Sequence, residues 1–465
     1  MLRRLLRGVS KRMCARNIFA ARSLRVSLVV AWLASSGFSA VAQTQRKAPA
    51  KTSPTSTSRE KEDPLAPLLQ QANDAIDKMD FSAALDPLQK YIAQRPDEPY
   101  PHFQLGYAYA GLKRAADAKE EFSRAAALDP KMAEAHLNLG LVLMDTEPAA
   151  AADAFRHAAE LQPTESRPRF LAGLSLERAG KFPEAVEQFR AGLALSPNDY
   201  EAHFALGRVL LRSNNLAGAE EQFRAAVAVR GDAAPAHLGL ANALLAQNKY
   251  EPASDALAQY LKLKPEDRAA HFDRASALLN LARFDEALAE LDRSDAGSAP
   301  SAEALKMRGE IFMQQKKWQE AGAVLTQALA LSPQDSELAD WLGRTDTELH
   351  DYPAAVRVLE QVYKQNPQSA DALRDLSNAL FLNEEYGSAL GSMDKLATME
   401  QPQPGSWFIR AICYDKLARK AEAIESYQKF LDLDNGQHDT QDFQARHRII
   451  TLQGELGQST KKKKQ

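Results

Sequence analysis

A chain of 465 residues that is 45% hydrophobic and 26% charged can bury a core and is not disordered as a whole, and with only 7% aromatics it favours helices packed through Ala and Leu over a β-sandwich. Two cysteines, Cys14 and Cys413, with no CxxC or Cys/His spacing, exclude a fold held by disulfides or zinc. The net charge of −3 is uneven: residues 1–42 carry eight Arg/Lys and no acid, and without them 50 basic face 61 acidic residues, a net of −11 that repels nucleic acid and anionic lipid.

The N-terminus is basic, with Arg3, Arg4, Arg7, Lys11, Arg12, Arg16, Arg22 and Arg25. An apolar run follows from Val26 to Phe38, then Ala40-Val41-Ala42 before Gln43. Basic, apolar and small-residue regions in that order describe a secretory signal peptide over 1–42 and a periplasmic or secreted protein. The long basic region also allows a start at Met13. An uncleaved signal that anchors the chain in the membrane is the alternative, although the apolar run falls short of the roughly 20 residues a bilayer span needs. A mitochondrial transit peptide fits less well, because its amphipathic character does not require Val26–Phe38. Residues 43–64 are rich in Pro, Ser, Thr and Lys without apolar periodicity, the composition of a disordered linker.

From residue 65 the sequence resembles itself at an offset of 34. Small residues recur at Ala72, Gly106, Gly140, Gly173, Gly207, Ala241, Ala275, Gly309, Gly343, Ser377, Ala411 and Ala445, every step 34 except one of 33. Twelve positions after each of the first eleven stands an alanine (eleven after Gly140), from Ala84 to Ala423. Four further on stands a large apolar residue: Leu88, Phe122, Phe155, Phe189, Phe223, Leu257, Leu291, Leu325, Leu359, Met393, Tyr427. Proline closes seven repeats, among them the fourth at Pro197. In Tyr200–Arg212 the residues His203, Leu206, Gly207 and Leu210 share one stripe at helical spacing, Asn214-Asn215 breaks the helix, and Gly218–Val229 forms a second one. Small residues belong where two helix axes approach closely, and the bulky residue fills the space between neighbours.

The spacing small–x11–Ala–x3–aromatic–x7–Pro, read at Gly173, Ala185, Phe189 and Pro197, resembles the tetratricopeptide repeat family. The resemblance covers eleven repeats over residues 65–437. It implies an all-α, right-handed superhelical solenoid of helix-turn-helix repeats, and protein binding of a kind the family varies widely.

Departures from the pattern carry information. The family's first-helix tryptophan is usually histidine here, at His102, His136, His203, His237 and His271. These are packing residues rather than a metal ladder, since metal ligands share a coordination sphere of about 2 Å and these lie one repeat apart. The third repeat lost one residue, assigned to its inter-helix turn, Asp145–Ala149. The seventh is the weakest, with Ser294 in an alanine slot and a loose Asp295–Ser301 in place of a proline stop. A capping helix is expected over 438–457, with Ala445, Ile449, Leu452 and Leu456 as its stripe, then a basic disordered tail over 458–465.

No P-loop, GxGxxG, GxSxG, HExxH or EF-hand pattern occurs, and the paired carboxylates such as Glu220-Glu221 fall at exposed helix or turn positions. Neither a catalytic residue, a metal nor a cofactor is expected. What remains is surface. The second, fifth, ninth and twelfth residues of each first helix fall on a face beside the packing stripe. In the family that face lines the concave groove that binds peptides or helices. Here the fifth position gives Phe103, Phe170, Phe204, Leu238 and Phe272. In-repeat packing is the competing reading of this row. Arg208, Arg344 and Arg374 stand at ninth or fifth positions, where they would orient a polar or acidic part of a ligand. The Lys–Asn spacing by which some relatives clamp a C-terminal carboxylate is absent.

The expected function is a non-catalytic scaffold or adaptor outside the cytoplasm. It binds other proteins through its groove, with no nucleic acid and no membrane span once the signal is cleaved. The alternative is an accessory subunit of an envelope machine for outer-membrane assembly, pili or polysaccharide export. Partner identity and oligomeric state are not legible. N-terminal sequencing of the protein from its native host should read from Gln43. An intact Met1 or Met13 terminus on a cytosolic protein overturns export.

Overall fold

The computed structural model describes residues 63–462, with side chains described as far as Leu456. The expected signal at 1–42 and residues 43–62 of the linker lie outside the described residues. Among those described, every regular element is an α-helix, and none is long and apolar enough to cross a membrane. The chain divides into two compact units, the first ending at Lys264 and the second starting at Pro265.

The first unit holds six helix pairs. They are α1 (Ala66–Asp77) with α2 (Phe81–Gln94), α3 (Pro99–Gly111) with α4 (Ala115–Leu128), and α5 (Ala133–Leu143) with α6 (Pro148–Leu161). Then come α7 (Ser166–Arg178) with α8 (Phe182–Leu195), α9 (Tyr200–Arg212) with α10 (Leu216–Val229), and α11 (Ala234–Ala246) with α12 (Tyr250–Leu263). The second unit holds five pairs and a last single helix. Its pairs are α13 (Arg268–Asn280) with α14 (Phe284–Ser294), α15 (Ala302–Gln314) with α16 (Trp318–Leu331), α17 (Ser336–Glu348) with α18 (Tyr352–Gln365), α19 (Ala370–Leu382) with α20 (Tyr386–Leu396), and α21 (Pro404–Lys416) with α22 (Lys420–Asp434). Helix α23 (Asp439–Lys462) follows and takes in residues expected to belong to the tail.

One contact recurs in the pairs. All eleven alanines of the second helices, Ala84 to Ala423, have no exposed surface, and the bulky residues four further on are buried throughout. The bulky side chain lies directly on the small residue of the first helix. A Cβ added at Gly140 would stand 2.6 Å from the Phe155 ring, and at Gly173 2.7 Å from Phe189. At Gly309 and Gly343 the same position meets Leu325 and Leu359 at 2.5 Å. No real Cβ tolerates such distances, so these positions are small because the axes are close.

The turns are equally regular. After α9 the amide of Asn214 donates to the Leu211 carbonyl and that of Asn215 to the Leu210 carbonyl, a Schellman closure with Asn214 left-handed at φ 58°. Asn215 then accepts from the Gly218 amide at 3.1 Å and caps α10. Left-handed residues recur at Met79, Lys113, Gly180, Asn214, Asn248, Ala282, Lys316, His350, Glu384 and Ala418. Only the third repeat lacks one, and it is the repeat that is one residue short. The lost residue is therefore the left-handed one, within the turn the sequence assigned.

The connection after α14 is less bare than its composition suggests. Ser294 is buried, and its Oγ donates to the Arg268 carbonyl at 3.0 Å. Arg268 donates to the Ser294 carbonyl and to Ser298, while Arg308 reaches Asp295 at 2.5 Å and Asp292 at 2.9 Å. Helix α20, also of eleven residues, likewise ends without a proline stop, and Arg410 of α21 pairs with Asp394 there. Nearby, Cys413 is fully buried beside Leu380 and Met393, and burial pushes its thiol up to about 11.

Two outcomes check this account. Gly207→Leu should overpack α9 against Phe223 and cost roughly 1–3 kcal/mol in a circular-dichroism melt. Limited proteolysis should cut first at 295–301 or 397–403, and Arg308→Ala should accelerate cleavage at 295–301 alone, because it removes the ion pair that holds Asp295 at the start of that segment.

Candidate functional site

The fifth-position residues of the first helices have two roles. In the first unit Phe103, Phe170 and Phe204 are half-buried, and so is Leu238. Each ring rests on the buried phenylalanine of its own repeat: Phe103 on Phe122 with centroids 5.8 Å apart, Phe170 on Phe189 at 5.9 Å, Phe204 on Phe223 at 5.8 Å. Phe204 also stacks on Tyr200. In the second unit Phe272 is half-buried beside the cluster of Ala275, Leu278 and Leu291. The row thus roofs the core and leaves part of every side chain at the surface. In-repeat packing and display are not exclusive, because each of these side chains is only half-buried.

The three arginines are already engaged. Arg208 makes a two-pronged contact with Glu177, Nε to Oε1 at 2.8 Å and Nη2 to Oε2 at 2.5 Å, and Glu177 is 93% buried by side chain. Arg344 donates to Asp375 at 2.8 Å and lies 3.0 Å from Asp340. Arg374 bridges Asp371 at 2.5 Å and Glu400 at 2.7 Å. Lys306, buried at the fifth position of α15, reaches Glu337 at 2.6 Å and Asp335 at 3.1 Å over the Trp341 ring. These cations tie one repeat to the next, so an acidic ligand competes with internal carboxylates for them.

Several of the under-paired groups on these helices are acids. Asp273, half-buried at the sixth position of α13, has no hydrogen bond or ion pair among the described residues. Burial, with Asp267 nearby, pushes its carboxyl up to about 6. Asp340 keeps one buried oxygen, Oδ1, without a partner. Burial outweighs Arg344 there and also brings that carboxyl to about 6. Glu310 is raised by burial and then by Glu337. The sequence gave no sign of Asp273, whose isolation depends on what packs around it.

The histidines are more than packing residues. The Nε2 of His102, His136, His203, His237 and His271 lies 2.8–3.1 Å from the carbonyl six residues back, at Pro96, Pro130, Pro197, Gly231 and Pro265. A carbonyl only accepts, so Nε2 carries the hydrogen. Each ring pins the segment leading into its own first helix. On the other side Nδ1 faces Glu121, Gln222 or Glu290 of the second helix in three repeats. Among the described residues no three ligating side chains converge on a metal-sized site.

Asp273 gives a pH-dependent expectation. Its folded carboxyl titrates near 6 against the usual 3.8, so its contribution to stability is full below about 3.8 and is lost as pH rises through 6. Asp273→Asn should stabilise the protein by on the order of 1–2 kcal/mol at pH 7 and by little at pH 4, read as thermal melts at both values.

Tetratricopeptide-repeat sequence models match residues 103–166, 170–237, 238–302, 302–335, 342–405 and 404–437. No curated protein matches the chain. Among solved structures, YrrB, described as a TPR protein with an unusual peptide-binding site, is 21% identical, with 40% of this chain and 97% of that one covered and a TM-score of 0.37. Pseudomonas aeruginosa pilF is 22% identical, with 44% and 95% covered and a TM-score of 0.34. Yeast Tom70 is 13% identical, with 84% and 96% covered and a TM-score of 0.30. The family's repeats are generally non-catalytic and bind proteins. With its small, alanine and bulky positions buried in register and the sequence models matching most of its length, the chain belongs to the tetratricopeptide repeat family.

Proposed function

We propose that this protein is a non-catalytic scaffold that works outside the cytoplasm and holds extended or helical segments of other proteins against the first helices of its repeats. The observation that carries the reading is the fifth-position row of the first unit. Phe103, Phe170, Phe204 and Leu238 are large and apolar, recur at one place in their repeats, and are only half-buried. Apolar surface that recurs in this way offers a partner a regular series of contacts, and aromatic anchors dominate interface energy. The order of basic, apolar and small residues over 3–42 supports export.

The engaged state of Arg208, Arg344 and Arg374 alters the expected ligand. Orientation by these cations has a cost, because each already has a carboxylate. An apolar segment is the better match for the first unit.

The test is capture of partners from the native envelope by the purified protein, read by mass spectrometry. Phe170→Ser with Phe204→Ser should abolish capture while costing about 1–2 kcal/mol per site, since both rings are only half-buried. Phe223→Ser is the reference for a core ring and should cost roughly 3–5 kcal/mol. If the double variant melts as severely as Phe223→Ser, or still captures the same partners, the row is not the binding surface.

A further inference from the structure

Helix α23 carries two apolar stripes where one was expected. Its inner stripe, Ala445, Ile449 and Leu452, is buried against Phe408, Tyr427 and Phe430 of the eleventh repeat. On the opposite side Phe443, His447, Ile450 and Gly454 recur at spacings of four, three and four. At 100° per residue they share an arc of about 60°. All four are exposed, and Phe443 at 71% and Ile450 at 70% are the most exposed large hydrophobics among the described residues. The rings of Phe443 and His447 stack, with centroids 6.2 Å apart. A Cβ added at Gly454 would meet nothing within 4 Å. The end of a solenoid is ordinarily covered by a polar face, and here Phe443 and Ile450 interrupt that face.

Within the repeats the chain closes helix pairs by laying a phenylalanine ring on a glycine backbone, as Phe155 does on Gly140 and Phe189 on Gly173. The outer stripe of α23 carries both halves of that contact, Phe443 as the knob and Gly454 as the gap. The two lie eleven residues apart on one helix and cannot meet. A second copy laid antiparallel, with the two-fold axis between residues 448 and 449, brings Phe443 opposite Gly454 and His447 opposite Ile450, each pair twice. An unrelated helix would have to supply a matching knob and a matching gap, whereas the chain itself supplies both. We propose that the protein self-associates through this face, α23 against α23, as an isologous antiparallel dimer. One helix pair makes a small interface, so the dimer is weak and concentration-dependent.

Sedimentation velocity of the purified protein over about 1–100 µM, the range in which a dimer of micromolar affinity forms, tests this. The wild-type protein should shift from monomer to dimer across the range. Ile450→Glu and Gly454→Leu should each remain monomeric throughout, with unchanged melts because both residues are exposed. Gly454→Leu is the stricter variant. It raises helix propensity, so loss of association cannot be ascribed to unfolding of α23. A wild-type protein that stays monomeric at the highest concentration overturns the proposal and assigns the face to some other occupant. A dimer that survives Ile450→Glu overturns the surface, and one that survives Gly454→Leu overturns the antiparallel register.

Discussion

The close approach of two helix axes within each repeat is the constraint on which the rest of this protein depends. A ring or a branched side chain on the second helix lies where the first helix has almost no side chain. The absence of a Cβ at Gly140, Gly173, Gly309 or Gly343 sets the axis distance, and that distance lets the bulky residue be buried by neighbours on every side. Each repeat is too small to bury its own faces, so it leans on the next one. That is why the fifth-position residues cannot be purely display or purely core. They sit where the roof of one pair borders the surface.

Much of this was legible because it repeats. A glycine such as Gly207 says little alone, but in register with eleven other small residues it fixes two helices, a turn and a neighbour. The missing residue of the third repeat was legible for the same reason, since a deletion shows against a constant period. Other features were not. The histidines repeat as clearly as the glycines, yet their hydrogen bonds to a carbonyl six residues back depend on the path of the chain into the helix, which periodicity does not encode. The arginines on the first helices looked available because sequence shows a charge and not its partner. Glu177 and Asp375, which hold Arg208 and Arg344, lie 31 positions away in adjacent helices, and Glu400, which holds Arg374, lies 26 positions on in the connection after α20. The outer stripe of α23 is hidden for a related reason: once the stripe of Ala445, Ile449 and Leu452 explains the helix as a cap, nothing in its periodicity calls for a second one.

Charge is distributed by a consistent logic. Long cations reach from one repeat to carboxylates of another, and in the first unit this puts the nearly buried Glu177 under both Arg208 and Arg212. Short acids have no such reach. Asp273 and Asp340 sit where packing strips water from them faster than partners replace it. A repeat protein held partly by cross-repeat ion pairs loses some of its coupling at high salt, and the half-exposed pairs feel this before Glu177 does.

The single buried thiol of the second unit has a use that its chemistry conceals. Cys413 lies against Leu380 and Met393, at the join between the tenth and eleventh repeats, with its thiol pushed up to about 11. A thiol reagent therefore modifies it only when that join opens. The rate of modification under native conditions is a clock for separation of the last repeat from its neighbour, independent of how firmly the rest of the array holds.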